Sequence, residues 1–348
     1  MPPITAINPL TRPDWDAVVM SHPGCTVFHT AAWAKTLSES YNFVPVYMMA
    51  AEKDQLLGLM PCMEIKSLVT GKRAVCLPFT DMCNPLSSDT VPADTLLSEL
   101  LNLGRQRGWR SIECRGRDGL SANAPVSIEF YSHTLDLTPG EKRVFDGFDS
   151  SVRRAIRKAE KSGVGIEIGR DIDSMRTYYT LHCKTRKRHG LPPQPWSFFA
   201  NLQRCLIEVG LGFVVIAKEN HGAGRPVAGA VILRFGQRAV YKYGATDMTR
   251  QEIRGSNLVM WHAIWRCIEH GCVTFDFGRT SIADDGLRRF KLGWGTTESR
   301  IGYVKYDLRQ EKYVSDRDRA HGWHNRIFRL VPVPVGRIVG ALVYPHVA

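Results

Sequence analysis

The pattern of apolar and polar residues predicts the same series of strands and helices in two parts of the chain. Residues 72–81 (KRAVCLPFTD) and 237–247 (QRAVYKYGATD) each follow a strand-like apolar run and a turn that contains glycine, as in a hairpin. Each is followed by a polar loop and an amphipathic helix, predicted over about 93–107 and about 256–270. A glycine ends each helix, and a short strand follows.

The two stretches lie about 165 residues apart (72 to 237), which indicates an internal duplication. A pair of unrelated α/β units is the alternative. In the second half the pattern predicts a strand, two helices, three strands, a helix and a strand, which is a mixed α/β layer arrangement. We therefore expect an α/β fold with mixed sheets, built from a first domain (1–150), a second domain (151–310) and a C-terminal helical tail (311–348).

Composition narrows the class of protein. The 348 residues are enough for two domains with separate cores, and 44% hydrophobic with 23% charged residues is typical of a globular protein. The net charge of +12 favours anionic partners such as nucleic acid, a phosphorylated small molecule or an anionic membrane face. Nine cysteines without a C-x-x-C spacing predict reduced thiols and no metal site.

The two ends of the sequence bear on location. The first residues lack a signal-peptide pattern, so we expect a cytoplasmic protein. The C-terminal run RLVPVPVGRIVGALVYPHVA is apolar but is interrupted by two arginines and three prolines, and no apolar run reaches the ~18 residues that span a bilayer. We expect this tail to pack on the body of the protein, with peripheral contact to the inner membrane face as the alternative.

Basic side chains form one face of a helix predicted over about 151–162. Arg154, Arg157 and Lys158 lie at helical spacing opposite an apolar stripe. They form either a solvated face or a site for a diphosphate or a nucleic-acid backbone. The position between two predicted domains favours the second interpretation, because ligands tend to bind between domains.

A second candidate anion site precedes the helix near 256–270. A helix that begins near Ser256 would direct free backbone N–H groups toward an anion. We expect Ser256 to cap the helix and Gly255 to permit close approach; an ordinary capped helix is the alternative. The candidate residues are Arg254, Gly255, Ser256 and Asn257.

A carboxylate near the end of the last predicted strand is the first candidate for chemistry. Asp276 lies between Phe275 and Phe277, outside the apolar alternation of the strand. It would either pair with a cation, Arg279 or Lys291, or act as a base with a raised pKa.

Lys291 lies in a short helix predicted by DGLRRFKLGWG. The pattern places the helix cap near Asp284 or Asp285 and its end at Gly293. Leu287, Phe290 and Trp294 are then expected to face the core, with Lys291 beside them.

The order of elements resembles the GNAT acetyltransferase superfamily, present twice in tandem. Several segments are similar to those of the Fem-like (FemABX-related) peptidoglycan-bridge aminoacyltransferases. The resemblance implies that Lys291 faces the acyl donor and that Arg186 and His189 contact the acceptor. Ile253 stands where the GNAT phosphate-loop pattern has its first glycine, so half of that pattern is present. The similar segments are FHTAAWAKTLSESY, RRAIRKAEKSGV, KTRKRHGLPPQP, YKYGATD, FDFGR and GLRRFKLGWG.

Acyl transfer to an amine explains why such residues are needed. The reaction develops an oxyanion that a fixed cation stabilises, and the attacking amine loses a proton to Asp276, to Tyr241 or Tyr243, or to water. Arg279 and Trp294 are further candidates for substrate contact. The activated donor, acyl-CoA or aminoacyl-tRNA, supplies the driving force, so neither a metal nor a tightly bound cofactor is expected.

The sequence thus predicts an N-acyltransferase of Fem-like type whose second copy carries the reaction centre and whose first copy shapes the acceptor cleft. The expected partners are an anionic small-molecule or lipid-linked acceptor and tRNA, but no DNA. A non-catalytic polyanion-binding protein with the same tandem fold is the alternative, and a membrane-surface adaptor acting through the tail is a third interpretation.

Overall fold

Two compact units make up the computed structural model, which describes residues 2–53, 55–121, 123–219, 224–316 and 328–347. The first unit comprises Met1–Phe130, Arg300–Arg319 and Leu342–Ala348. The second unit comprises Tyr131–Ser299 and Ala320–Ala341.

Strands and helices alternate along most of the described chain. The strands are β1 (Thr5–Ile7), β2 (Val44–Pro45), β3 (Tyr47–Glu52), β4 (Gln55–Met60), β5 (Met63–Ser67), β6 (Gly71–Cys76), β7 (Ser111–Cys114), β8 (Ile128–Asp136), β9 (Val164–Gly169), β10 (Gly212–Glu219), β11 (Pro226–Phe235), β12 (Arg238–Thr246), β13 (Thr274–Asp276), β14 (Thr280–Ser281), β15 (Thr297–Asp307) and β16 (Lys312–Tyr313). The helices are α1 (Trp15–Met20), α2 (Ala31–Tyr41), α3 (Ala93–Arg107), α4 (Glu141–Asp146), α5 (Ser150–Lys161), α6 (Ile172–His189), α7 (Trp196–Leu202), α8 (Gly255–Glu269), α9 (Asp285–Leu292) and α10 (Val333–Val343).

The first unit combines an antiparallel three-stranded sheet with a mixed sheet. Strands β1, β3 and β4 form the former. In the latter β5 pairs antiparallel with β2 and β6, β6 pairs parallel with β7, and β7 pairs antiparallel with the end of β15. Helix α3 buries Leu97 and Leu100 in the core of this unit, as its apolar spacing predicts.

The second unit is a mixed sheet covered on both faces by helices. Strands β9 to β12 pair antiparallel in chain order, β12 pairs parallel with β13, and β13 pairs antiparallel with the end of β8. Val215 and Ala217 of β10 pack in a core cluster with α5 and α8, whereas Val214 and Ile216 lie on the opposite face of the strand. Because both faces are covered, β10 is an almost continuous apolar run.

The duplication is visible in the pairing of the strands. In each unit an antiparallel hairpin leads through a helix to a strand that pairs parallel with the second hairpin strand: β5–β6–α3–β7 in the first and β11–β12–α8–β13 in the second. The α/β class with mixed sheets and the repeated element order are therefore confirmed. Helices α3, α5 and α8 agree with their predicted ranges to within one residue.

The compact units are bounded differently from the predicted domains. The first segment of the first unit ends at Phe130, rather than at residue 150, and a second segment of the same unit begins at Arg300. The physical reason is strand pairing: Thr134–Asp136 of β8 pair with β13 of the second unit, and Val304–Asp307 of β15 pair with β7 of the first.

The C-terminal tail contains α10, which buries Gly336 and Gly340. Residues 317–327 of the predicted tail lie outside the described residues. Among the helices that the structure describes, none combines the length and the apolar character required to cross a bilayer.

Candidate active site

The second unit contains a fork between two parallel strands. β12 and β13 pair over only three positions, Arg238 with Thr274, Ala239 with Phe275 and Val240 with Asp276. β13 then ends, while β12 continues to Thr246 with only β11 as its strand neighbour over the described residues. From residue 241 onward no strand of the described residues pairs with this edge of β12, and at its end the Thr246 N–H donates to Thr185 Oγ1 at 3.1 Å.

A bulge in β12 lies at the mouth of the fork. Val231 of β11 pairs with Tyr243 and Ile232 pairs with Tyr241, so Lys242 is an extra residue in the strand. The Lys242 side chain is buried, and its ammonium lies 5.0 Å from the centre of the Tyr243 ring. Sequence reasoning missed Lys242, because a bulge has no local sequence signal.

The bulge places the two candidate tyrosines on opposite faces of the sheet. Tyr241 packs against the core cluster that contains α5 and α8, whereas Tyr243 packs 5.4 Å from the ring of Phe199 in α7 and 6.0 Å from that of His182 in α6. Burial raises the pKa of Tyr241, so its phenol stays protonated at neutral pH. The two tyrosines, predicted as alternative proton acceptors, are therefore directed to different faces of the sheet.

Asp276 and Lys291 hold the same turn after β13. Asp276 Oδ1 accepts a hydrogen bond of 2.7 Å from the Gly278 N–H. Lys291 Nζ donates to the carbonyl oxygens of Gly278 and Arg279, at 2.6 and 3.0 Å. The structure thus brings the two predicted residues to one loop at the end of the fork, where the Arg279 side chain is exposed.

Helix α9 presents the opposite face to the one predicted. Asp284 caps the helix by accepting from the Leu287 N–H, as expected. Leu287 and Phe290 are each 38% exposed, however, whereas Lys291 is only 5% exposed. The expectation that both apolar residues face the core is wrong, because the two carbonyl groups that Lys291 binds lie on the inner side of the helix.

Trp294 is a core residue. It is fully buried and packs against Phe148 and Phe277, with ring centres 5.0 and 6.3 Å apart. A direct substrate contact by Trp294, as predicted, would require this packing to open, so the structure assigns it to holding α9 against the core.

A buried histidine beside Lys291 was not predicted. His133 Nε2 lies 3.0 Å from Glu298 Oε2, and Arg288 donates to both Glu298 oxygens at 2.7 and 2.8 Å. Burial and the nearby Lys291 charge lower the pKa of His133, so the imidazole is neutral at pH 7. The only signal in the sequence is a polar residue inside the strand YSHTLDL, which is too weak to identify it.

The basic face of α5 is exposed, and its apolar stripe is buried as predicted. Val152 and Ile156 pack in the core of the second unit. Arg154 donates to Ser150 Oγ at 3.0 Å, Arg157 lies 6.0 Å from the centre of the Phe145 ring, and the Lys158 side chain is exposed.

The start of α8 differs from the expected cap. Arg254, in the left-handed region at φ 57°, is the N-cap residue, and Ser256 lies inside the helix with Asn257 in the first turn. Ser256 therefore does not cap. A Cβ on Gly255 would lie 3.0 Å from Val227, so glycine permits α8 to pack closely on the sheet. The first N–H groups of α8 remain the candidate anion site.

A basic pocket of about 290 Å³ lies at the end of β12 in the second unit. Asp247 is buried there and accepts from Arg225 and Lys184 at 2.7 and 3.3 Å. Burial acts to raise the pKa of Asp247, but hydrogen bonds from Thr249, Arg225 and Lys184 outweigh it and hold the pKa well below its usual range. Arg225 is distant in sequence from the predicted basic run, so local reading could not find this cluster.

The predicted acceptor contacts lie at the end of α6. Arg186 Nε donates to the Pro192 carbonyl at 3.3 Å. The ring of His189 receives a hydrogen bond of 2.8 Å from Arg188, and burial together with the Arg188 charge lowers the His189 pKa. Both side chains therefore border the turn after α6 in the second unit.

The first unit has its own polar cavity, of about 390 Å³. Arg117 and Arg300 line it together with Glu129, which pairs with Arg300 at 2.7 Å. Among the described residues no cluster of three or more His, Cys, Asp or Glu side chains could hold a metal ion.

Comparison with known proteins agrees with this architecture. Residues 147–292 match the acetyltransferase (GNAT) domain family. The crystal structure of FemX has a TM-score of 0.68 at 17% identity and covers 88% of this chain and 98% of that one. A tandem GNAT protein from the clavulanic acid biosynthesis pathway has a TM-score of 0.53 at 9% identity, covering 88% and 98%. The chain is therefore an α/β protein with two tandem GNAT-like domains.

Within that class the likeness is to Fem proteins. Lipid II:glycine glycyltransferase of Staphylococcus aureus is 31% identical over 103 residues, which are 28% of this chain and 24% of that protein. The chain thus spans about a quarter of the length of the curated relatives it matches. Residues 147–292 are thus similar to a GNAT domain, and the fold of the chain is similar to that of FemX.

Proposed function

We propose that the chain is an N-acyltransferase of Fem-like type that transfers an acyl or aminoacyl group from an activated donor to an amine of a cell-envelope precursor. The observation that carries the proposal is the fork between β12 and β13, with Asp276 and the buried ammonium of Lys291 on the loop at its end. The match to a GNAT domain and to a glycyltransferase that acts on lipid II supports it.

The reaction that we propose uses the fork as the seat of the donor carbonyl. The Lys291 charge beside the fork stabilises the oxyanion. The acceptor nitrogen attacks the carbonyl carbon, the amine proton passes to Asp276 or water, and the bond to the donor's sulfur or oxygen breaks as that atom regains a proton.

Acyl-CoA and aminoacyl-tRNA are the two donors to be distinguished. The α8 N-terminus with Arg254 and Gly255 favours a phosphate group of either donor. The exposed cations of α5, namely Arg154, Arg157 and Lys158, add the charge that a nucleic-acid backbone requires. A lipid-linked acceptor would place the protein in the cytoplasm at the inner membrane face.

The test is consumption of each donor by added amine, followed by mass spectrometry with the purified chain. Turnover with charged tRNA that falls steeply with salt identifies the tRNA donor, and turnover with acyl-CoA identifies the other. If neither donor is consumed while a polyanion still binds, the chain is the non-catalytic polyanion-binding protein.

Lys291→Met is the decisive variant. We expect turnover to fall by about 10²–10³-fold, because a preorganised cation is lost from the oxyanion site, while donor binding is retained. Arg289→Met is the matched control, since it removes an exposed cation from the same helix and should leave turnover unchanged. Thermal unfolding of Lys291→Met checks that the protein folds; equal turnover in both variants would contradict the proposed role of Lys291.

A further inference from the structure

Helix α10 turns its smallest residues toward the protein and its large apolar residues outward. Gly336 and Gly340 are buried, and a Cβ on Gly340 would collide with the carbonyl oxygen of Pro193. Ile338 and Leu342, in contrast, are 62% and 66% exposed. A surface helix of a globular protein shows the reverse arrangement, with its large apolar residues toward the core. The outer face of α10 is therefore suited to an apolar medium.

The exposed apolar residues form a continuous face. Val335, Ile338 and Leu342 follow one another at spacings of three and four, so they lie on one side of the helix. Leu330 and Val347 are exposed on either side of α10. Of the sixteen large apolar side chains that are exposed among the described residues, five lie between 330 and 347, which is a cluster rather than the usual scatter.

The charge of this segment indicates which apolar medium it fits. Residues 319–348 contain four arginines and no aspartate or glutamate. Arg329 and Arg337 are exposed. The Arg337 guanidinium lies 5.3 Å from the centre of the ring of Tyr179 in α6. Cations beside an apolar face complement anionic lipid headgroups above acyl chains.

We infer that α10 is a docking surface for an anionic lipid bilayer, with Val335, Ile338 and Leu342 in the acyl region and Arg329 and Arg337 among the headgroups. At 11 residues the helix is too short to cross a bilayer and lies in the plane of the interface. The inference does not depend on the proposed acyl transfer, because none of these residues belongs to the fork.

The test is sedimentation of the full chain with vesicles of phosphatidylglycerol and phosphatidylcholine in equal amounts, and with phosphatidylcholine alone. We expect the chain to bind the anionic vesicles. Ile338→Ser combined with Leu342→Ser should weaken this binding by about 10-fold or more, because two apolar side chains no longer enter the bilayer. Val209→Ser is the matched control, since Val209 is 63% exposed elsewhere in the second unit and should have no effect.

Replacing the arginines tests the electrostatic part of the inference. Arg329→Gln and Arg337→Gln should each weaken binding to the anionic vesicles by about 5-fold, and high salt should do the same. Circular dichroism of every variant checks that it folds. Transfer to a water-soluble amine should be unchanged in all of them, which separates this result from the test of the proposed function.

Two results would overturn the inference. One is equal binding of the wild-type chain to both kinds of vesicle, or to neither. The other is a dimer, detected by light scattering without lipid, that dissociates in the Ile338 and Leu342 double variant while vesicle binding stays the same. In that case α10 forms an interface with a second copy of the chain.

Discussion

The two copies differ most clearly at the end of their parallel strand pair. In the first unit β6 and β7 end together at the pair Cys76 and Cys114, whose sulfur atoms lie 3.6 Å apart. In the second unit the last pair is Val240 and Asp276, and β12 continues beyond it. The same element order thus produces a closed strand pair in one copy and an open fork in the other.

The chemistry at the two ends follows from this difference. The hydrogen bond with Cys76 and burial raise the pKa of the Cys114 thiol, so it is a neutral packing residue. Asp276, in the last pair of the second unit, binds the backbone of a turn that Lys291 also holds. A repeated fold therefore does not imply a repeated site, because the parallel pairing ends at two thiols in one copy and at a carboxylate near a buried lysine in the other.

The largest expected effect separates these two positions. Asp276→Asn should lower turnover by about 10²–10⁴-fold, because it removes the proton acceptor that we propose. Cys114→Ser, in the last strand pair of the first unit, should leave turnover essentially unchanged. Steady-state kinetics with the donor identified above measures both.

Two outcomes would break the comparison. Loss of turnover in Cys114→Ser, without a change in its unfolding temperature, would assign chemistry to the first copy as well. Retention of turnover in Asp276→Asn would leave water as the proton acceptor.

A smaller effect tests the turns that follow the two strands. Gly116 and Gly278 lie two residues beyond Cys114 and Asp276, and both have positive φ, 154° and 71°. Gly278→Ala should cost about 1–2 kcal/mol of unfolding free energy, because an L residue is strained in the left-handed region. Gly116→Ala should cost more, since its Cβ would also collide with Asn84.

Urea unfolding of both glycine variants gives the two free energies. Gly278→Ala should in addition lower turnover, because the turn that Asp276 and Lys291 hold is displaced. Equal turnover in the two variants would mean that this turn does not position the reaction centre.

The smallest effect is a pH dependence of the second unit. Burial lowers the pKa of five histidines there, so the unfolded chain binds more protons than the folded one at low pH. The contribution of these neutral histidines to the free energy of unfolding is fully present above the ordinary histidine pKa of 6.5. It should decrease as the pH falls below that value. These residues are His133, His182, His189, His262 and His270.

Hydrogen exchange at pH 7 and at lower pH checks this prediction. Protection should decrease first in β9 to β13 of the second unit, and later in β3 to β7 of the first. Simultaneous loss of protection in both units would show that the histidines do not set the acid sensitivity.

Regular elements with a strong apolar period were predictable from the sequence. The bounds of α3, α5 and α8 and the buried face of α5, with Val152 and Ile156, follow from local spacing alone. For α8 the period was less informative, because its buried residues lie on several sides of the helix; they are Gly255, Leu258, Val259, Met260, Ala263, Ile264 and Cys267. The reason is that a helix covered on several sides has no single apolar stripe.

The candidate site was predictable only in part. The proximity of Asp276 in β13 and Lys291 in α9, which bind the same turn, agrees with the prediction, but the inward face of α9 does not. Hydrophobicity alone favours Leu287 and Phe290 as core residues. Two backbone carbonyl groups outweigh it, because a buried C=O without a partner costs more than partial exposure of a side chain.

The sequence by itself determined the α/β class, the duplicated order of elements and the helices whose stripes enter a core, because each depends on residues close together in the chain. The tertiary structure alone decided where β12 loses its partner, that a bulge separates Tyr241 from Tyr243, and that Asp247 gathers Lys184 and Arg225. These features depend on strand lengths and contacts between residues that lie far apart in sequence, which no local pattern of apolar and polar positions records.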